Sequence, residues 1–454
     1  MKMTGIYTAL VSKLLFPLHE RLKKHDTVAI KKQLEKSQWL TKEQILSAQS
    51  QRLQKFLASA VENVPYYKAL FTELKINVAD IDSVSALQKL PFLDKNTIRE
   101  NFSAMKSTEI GAVSSFTTGG SSGEPLTFLL SNERVSHDVA EKWRATRWWD
   151  VDIGDKEVVA WGSPIELGAQ DKVRLIRDKL FRSTLIPAFD MNDSKLLGFI
   201  EQIKAIKPAM LFGYPSVFSL IAKLALAKQI DLTCLGIKVV FVTSERLYPY
   251  QREIIEKAFA APVANGYGSR DAGFIAHQCP NGSMHISAED IIVEIVDSAG
   301  NVVPDGEKGE IVITHLATSD FPFVRYRTGD IAALDTKTCA CGRGLPVLKD
   351  IEGRTTDFVV AANGTIMHGL ALIYILRELD GIEAFKIVQE TKQHTRVQLV
   401  PSSKEGIPEA VINNIVSGFK ARLGENVVID VEIVDHIEAE KSGKYRYVIS
   451  KVAA

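Results

Sequence analysis

Apolar positions follow two different rhythms along this chain. Through the first hundred residues they recur at helical spacing, as in Ile45, Ala48, Leu53, Phe56, Leu57 and Val61, a stripe opened by Thr41-Lys-Glu-Gln and broken at Val64-Pro65. Asp94, after Pro91-Phe-Leu, is placed to cap a further helix. The patch Ile6–Leu18, interrupted by Lys13, predicts an amphipathic helix packed on the body. Beyond residue 110 short apolar runs alternate with helical stretches. Strands are predicted at Gly111–Phe116, Pro125–Leu130, Lys156–Trp161, Ala209–Phe212 and Ile237–Val242, the last a near-continuous apolar run of the kind buried in parallel sheets. Helices are predicted over 132–149, 193–206, 217–229 and 248–260. This alternation predicts an α/β fold with helices on both faces of a parallel or mixed sheet. Ligands in such folds bind at the carboxyl ends of strands. Three segments fall there: Gly213-Tyr-Pro-Ser216, Thr243-Ser244-Glu245 and Asn265-Gly266-Tyr267-Gly268-Ser-Arg270-Asp271.

From His285 the pattern becomes strand after strand. Ile291–Val296, a turn at Asp297–Asn301 and Val302-Val303 predict a hairpin, and Gly309–Thr314 a further strand. The predicted organisation is a large domain over 1–352, with a helical lead-in to 100, an α/β core over 101–275 and a β-rich part over 276–352. A hinge at 353–357 leads to a small α+β lid over 358–454.

Composition narrows the classes. The 454 residues are 46% apolar and 24% charged, ordinary for a globular protein, and Lys plus Arg equals Asp plus Glu at 55 each. That balance argues against nucleic acid or a polybasic membrane contact as the main partner. Four cysteines are too few and too unevenly spaced for a secreted disulfide scaffold, so a cytoplasmic protein is expected, with no signal peptide and no transmembrane segment. Cys234, after a helix, reads as a core residue, and the spacing of His277, His315 and His368 forces no role.

Candidate chemistry begins at Phe116–Phe128. Three glycines and four hydroxyl residues occupy Thr117–Gly123. Glycines let backbone N–H groups turn toward an anion, and hydroxyls rotate to meet phosphate oxygens. No Gly-Lys-Ser/Thr closes the stretch and no helix opens inside it, which excludes the two commonest phosphate motifs. A phosphate clasp and a plain surface loop both remain compatible with it.

Taken in order, Val64-Pro-Tyr-Tyr67, Leu90–Lys95, Thr118–Pro125, Tyr267–Asp271, Tyr326-Arg-Thr-Gly-Asp330, Gly353-Arg354 and Ser442-Gly-Lys444 resemble the adenylate-forming (acyl-activating) enzymes. The likeness is greatest to the phenylacetate–CoA ligase branch and its capsular-polysaccharide-biosynthesis relatives. The resemblance implies ATP-dependent activation of a carboxylic acid as its acyl-adenylate, followed by transfer to coenzyme A. It implies that Thr118, Gly119, Gly120, Ser121, Ser122 and Gly123 hold the triphosphate, and that Asp271 places Mg²⁺. It implies that Ser244-Glu245 borders the adenine with the Asn265–Gly268 segment, that Asp330 and Arg354 fix the ribose, and that Lys444 serves adenylation, with Lys441 as the competing lysine. Leu126 stands where many relatives carry Lys, and Arg270 is the candidate replacement charge. Thr356 departs from the family's usual Asp at the hinge. Trp161 and Tyr214 are candidate walls for an aryl or other apolar acid, and equally candidate core residues.

Cys279, His285, Cys339 and Cys341 supply three thiols and one imidazole after two of these motifs, a donor set suited to a closed structural Zn²⁺ site. Reduced loop cysteines and a surface histidine are the alternative. The expected partners are thus a small carboxylic acid, ATP and coenzyme A, and a homodimer is compatible with the chain. Two other functions remain open. The acyl group could pass to an amine or hydroxyl, for example on a sugar of a surface polysaccharide, or the chain could be a non-catalytic nucleotide binder.

Overall fold

The computed structural model describes residues 5–117, 126–161, 172–187, 193–354, 358–362, 366–368, 370–377, 379–403, 406–438 and 447–452. It divides into two compact units, one of residues 1–328 and 332–351, the other of 329–331 and 352–454.

In the first unit, strands β1 (Val113–Thr117) and β2 (Thr127–Ser131) pair antiparallel, with Phe116 opposite Phe128. The remaining strands form one sheet. They are β3 (Glu157–Trp161), β4 (Ser183–Pro187), β5 (Met210–Gly213), β6 (Val239–Thr243), β7 (Val263–Ser269), β8 (Gly273–Gln278), β9 (Met284–Ile286), β10 (Ile291–Val296), β11 (Lys308–His315), β12 (Phe323–Leu334) and β13 (Val347–Arg354). Their spatial order is β10-β11-β12-β13-β9-β8-β7-β6-β5-β3-β4. The segment β4-β3-β5-β6-β7 is parallel, and the β7–β8 and β8–β9 pairings are antiparallel. The β-rich part predicted after residue 275 thus continues the same sheet.

Side-chain alternation gives that sheet two apolar faces. Leu211, Val240 and Val242 join the core packed by helices Asp193–Ile206, Pro215–Ala227 and Pro249–Phe259. Met210, Phe212, Val239 and Phe241 point the other way, to Ala145 and Trp148 of the helix that starts at Asn132 and its C-cap. On that second face aromatic rings pass from strand to strand. Trp161 stacks on Phe212 at 6.2 Å, Phe212 on Phe241 at 5.8 Å, and Phe241 contacts His277 at 6.0 Å. The series crosses β7 at Gly266, where a Cβ would come within 2.8 Å of the Phe241 ring. Gly266, a candidate nucleotide contact by sequence, is therefore also a packing requirement.

The helix Lys42–Asn63 begins with the expected cap: Gln44 N–H donates to Thr41 Oγ1 (3.3 Å), and Gln44 Oε1 accepts from Thr41 N–H (2.9 Å). Asp94 caps its helix through Thr97 N–H at 2.8 Å. The expected turn at Asp297–Asn301 closes a short hairpin: Val302 bridges Val296, and Val303 N–H donates to the Ile295 carbonyl at 2.9 Å, while β11 pairs along the other edge of β10. One expectation needs correction. Cys234 is exposed, because it lies in a short turn whose neighbour Leu235 takes the buried place.

The second unit holds a four-stranded sheet and two helices, Leu370–Arg377 and Glu409–Leu423. Its strands β16 (Ile382–Thr391), β17 (His394–Pro401), β18 (Val428–Ile433) and β19 (Val448–Ser450) lie in the order β18-β17-β16-β19, beside the hairpin β14 (Phe358–Val360) and β15 (Ile366–His368). The buried Gln389 amide clamps β14, donating to the Val360 carbonyl at 2.7 Å and accepting from its N–H at 2.9 Å. No helix among the described residues is long and apolar enough to cross a membrane.

Candidate active site and metal centre

The corner between β7 and β8 carries the first cluster. A register shift falls between Tyr267 and Gly268. A Cβ on Gly268 would lie 2.1 Å from the Gly273 carbonyl oxygen, so the backbones meet there only with glycine. The chain then presents Asp271, 3% exposed, with both carboxylate oxygens engaged. Ser269 Oγ donates to Oδ1, and the buried Tyr326 hydroxyl donates to Oδ2 at 2.7 Å. Ser269 Oγ also accepts from Ala272 N–H at 3.1 Å. An ionised carboxylate is acceptor-only, with about four lone-pair positions, which suits it to hydroxyl donors and to a cation. The hydrogen bond from Tyr326 joins the Tyr267–Asp271 segment to the Tyr326–Asp330 segment.

Arg270, next to Asp271, is exposed, with its guanidinium 5.8 Å from the Phe116 ring centroid. Phe116 lies one residue before the end of β1, so Arg270 stands beside the strand that leads into the glycine-rich stretch. Thr118, Gly119, Gly120, Ser121, Ser122 and Gly123 lie outside the described residues, as do Lys444 and the side chain of Arg354. Leu126 is fully buried among Phe128, Ile275 and Phe323, which explains an apolar residue there.

At the carboxyl ends of β5 and β6 the structure ties two candidate segments together. Ser216 N–H donates to Glu245 Oε2 at 3.2 Å. Ser244 adopts a φ of 70°, and Gly213 one of 144°, where a Cβ would lie 2.1 Å from the Ala160 carbonyl oxygen. The Trp161 and Tyr214 rings lie 4.9 Å apart; Tyr214 is buried in the core and Trp161 half-buried. Asn265 N–H donates to the Gln278 side chain at 3.0 Å. Tyr267, Gly268 and Asp330 are half-buried on β7 and β12.

The second cluster lies at the far end of β8. Cys279, His285, Cys339 and Cys341 bring their ligand atoms within 4.8 Å of one another. Cys279 Sγ is 3.6 Å from Cys339 Sγ, and Cys341 Sγ is 3.2 Å from His285 Nε2. Tetrahedral Zn²⁺ with bonds of about 2.3 Å to sulfur sets ligand–ligand edges of this size. His285 Nδ1 faces the Leu345 carbonyl at 3.2 Å, which leaves Nε2 for a metal. Burial pushes the Cys279 thiol up to about 11 and lowers His285 to about 4. A neutral imidazole is the ligating form, and a bound cation draws the proton from a thiol. Tight packing fixes the loop: a Cβ on Gly344 would lie 1.8 Å from the Leu40 carbonyl oxygen. The residues present fit a Cys₃His metal site.

Sequence reasoning did not single out Ser269 or the Tyr326 hydroxyl as the holders of Asp271. The signal was present, since Tyr326 opens Tyr-Arg-Thr-Gly-Asp. It also gave His277 no place, yet this ring is buried beside Phe241 and Phe274, and burial lowers it to about 3, with Arg144 adding to the shift.

Comparison with known proteins places these features. The family profile described as AMP-binding enzyme matches residues 74–318, and that of the CapK C-terminal domain matches 359–451. Protein CapK of Staphylococcus aureus is 26% identical over 90% of this chain and 90% of its own. A phenylacetate-coenzyme A ligase of Aromatoleum evansii is 23% identical over 92% of this chain and 97% of its own. Among solved structures, a 2-hydroxyisobutyryl-CoA ligase in the postadenylation state superposes with a TM-score of 0.70 at 21% identity, covering 89% of each chain. That likeness speaks to the fold.

Proposed function

The chain belongs to the AMP-binding enzymes as an AMP-forming ligase, and from that premise we propose that it activates a small carboxylic acid with ATP and passes the acyl group to coenzyme A. The reading rests above all on the hydrogen bond from Tyr326 to Asp271, which joins two segments that resemble the family's nucleotide motifs. In the first step a carboxylate oxygen bonds to the α-phosphorus of ATP as the α–β bridging bond breaks, and pyrophosphate leaves with the electron pair. In the second, the thiol of coenzyme A gives up its proton and attacks the acyl carbonyl, and AMP leaves.

The chain's own part is positioning and electrostatics. Thr118, Ser121, Ser122 and the backbone of Gly119, Gly120 and Gly123 hold the triphosphate, with Arg270 adding positive charge. Asp271, kept in place by Ser269 and Tyr326, would hold Mg²⁺ through its carboxylate, and the ion would offset phosphate charge. Ser244, Glu245 and Asn265–Gly268 border the base, Asp330 and Arg354 the ribose, and Trp161 and Tyr214 the acyl group. Lys444 stabilises charge developing during adenylation. Cys279, His285, Cys339 and Cys341 hold a structural Zn²⁺ that ties the two loops together. A reaction that consumes ATP and coenzyme A suits an enzyme of the cytoplasm.

The match of residues 359–451 to the CapK C-terminal domain supports a second reading, in which adenylation is kept and the acceptor is an amine or hydroxyl on a sugar. Incubation with candidate acids and ATP, with and without coenzyme A, separates the two. The first reading predicts an acyl thioester that appears only with coenzyme A. Accumulation of acyl-adenylate without thioester would overturn it in favour of the second.

A further inference from the structure

The neutral total charge conceals a local surface of another kind. Helical turns run without interruption from Ile6 to Leu22, with a π-type turn at Val11–Leu15. One face is anchored: Thr8, Val11 and Phe16 are buried, and Val11 and Phe16 pack with Ile153. The opposite face carries Ile6, Leu10, Leu14, Leu18 and Leu22, between 43% and 93% exposed. In an α-helix a spacing of four residues drifts forward by about 40° per step. The wider π turn drifts backward over the same spacing, so it returns Leu14 and Leu18 to the line of Ile6 and Leu10.

A second helix, Lys172–Phe181, adds Leu175, Ile176 and Leu180, also exposed. The two helices touch: Tyr7 Oη donates to the Leu180 carbonyl at 2.9 Å, and Phe16 and His19 meet the Phe181 ring at 5.9 and 5.3 Å. Eight of the fifteen large apolar residues exposed among the described residues therefore lie on two adjoining helices. Scattered exposed leucines need no explanation, but a concentration of this kind marks a contact surface.

The rim decides what it contacts. From Gly5 to Lys24 the exposed charged residues are Lys13, Arg21, Lys23 and Lys24, all basic, with the exposed acid Asp26 following beyond the helix end, and among the described side chains of the second helix Arg174 and Lys179 are the exposed charges. The one acid of the first helix, Glu20, is turned inward to Thr27, His19 and His25. Asp178 is half-buried and paired with Arg177. A second copy of the chain meeting this face about a two-fold axis would set basic rim against basic rim. An anionic lipid surface meets the same rim with opposite charge, and long Lys and Arg side chains reach headgroups while leucines enter the acyl boundary.

We propose that helices Ile6–Leu22 and Lys172–Phe181 form a docking face by which this enzyme lies on an anionic membrane surface, without spanning it. The test is co-sedimentation of the full chain with vesicles of phosphatidylcholine alone and of phosphatidylcholine with phosphatidylglycerol. Sedimentation velocity is run in parallel. The wild type should bind the anionic vesicles, not the neutral ones, and lose binding as salt rises. Leu14→Glu/Leu18→Glu should weaken binding by about tenfold or more. Lys13→Glu/Arg21→Glu, which leaves every leucine in place, should weaken it less and reduce its salt dependence. Both changes are at exposed positions, so the melting temperature should match the wild type. Failure of the wild type to bind anionic vesicles at low salt overturns the proposal. So does equal binding by Leu14→Glu/Leu18→Glu, and so does a dimer that this double change dissociates without vesicle binding.

Discussion

One short strand, β8, separates two polar clusters of opposite character. At its amino end Asp271 is a buried carboxylate whose oxygens are met by two hydroxyls from different parts of the chain. At its carboxyl end Cys279, His285, Cys339 and Cys341 converge within 4.8 Å, with Cys341 N–H donating to Cys339 Sγ at 3.4 Å and a carbonyl facing His285. A carboxylate with hydroxyl partners is satisfied as it stands, and as an acceptor-only group it also suits a cation. Three thiols and an imidazole gathered this closely are a donor set that suits a transition metal. The first arrangement suits a substrate that comes and goes, and the second a metal that stays.

Changes on the two sides of β8 should therefore separate, and the largest effect belongs to chemistry. Lys444→Ala should lower acid-dependent pyrophosphate release by about a thousandfold, with bound metal and melting temperature unchanged. Transfer from a preformed acyl-adenylate should survive, and equal loss of both steps would count against a role confined to adenylation. Asp271→Asn keeps the shape but removes the charge and turns one acceptor oxygen into an amide donor, so one of the two hydroxyls must accept instead of donate. Adenylation should fall by about a hundredfold, again with full metal content by elemental analysis. Metal loss in this variant would break the separation of the two ends.

At the other end, Cys341→Ser should abolish stoichiometric metal and lower the melting temperature by about 5–10 °C. Residual adenylation at low temperature should remain. Protein purified without added zinc that holds no metal, and whose stability ignores chelator, would contradict the closed-site reading.

The smallest effect lies between the two ends. His277 is held neutral down to about pH 3 by burial, against an ordinary value of 6.5. The unfolded chain takes up a proton below 6.5 and the folded chain does not, so stability falls as pH drops from 6.5 toward 3, by about 1.4 kcal/mol per pH unit for this group. His277→Phe keeps a ring against Phe241 and Phe274 and should flatten that slope, leaving stability at pH 8 near the wild type. Denaturant melts at pH 5 and pH 8 measure the difference.

Local patterning made much of the first unit readable. Val239–Val242 is a continuous apolar run because it is covered on both sheet faces, and the helices that follow each parallel strand carry clear stripes. The capped starts at Thr41 and Asp94 were legible because each cap is written in four neighbouring residues. What could not be read locally was pairing. Nothing within Ile291–Val296 says that Lys308–His315 will pair along its whole length. Nothing near Cys279 says where Cys339 will return. The ring series across Gly266 exists only because β6 and β8 flank β7 in register. The face Ile6–Leu22 was recognisable as amphipathic, but its phase depends on a π turn that the sequence does not announce. At the candidate site the type of each residue came from motif order, whereas the contacts that fix Asp271 came from a strand 55 positions away.

The claim on which the rest depends is acid activation by ATP. Metal-replete, folded protein should be mixed with Mg·ATP and a panel of small carboxylic acids, aliphatic, hydroxylated and aryl, and scored for pyrophosphate. The account predicts release that requires an acid from the panel, is matched by acyl-adenylate, and is lost in Lys444→Ala. Protein that binds ATP yet releases no pyrophosphate with any acid would contradict it.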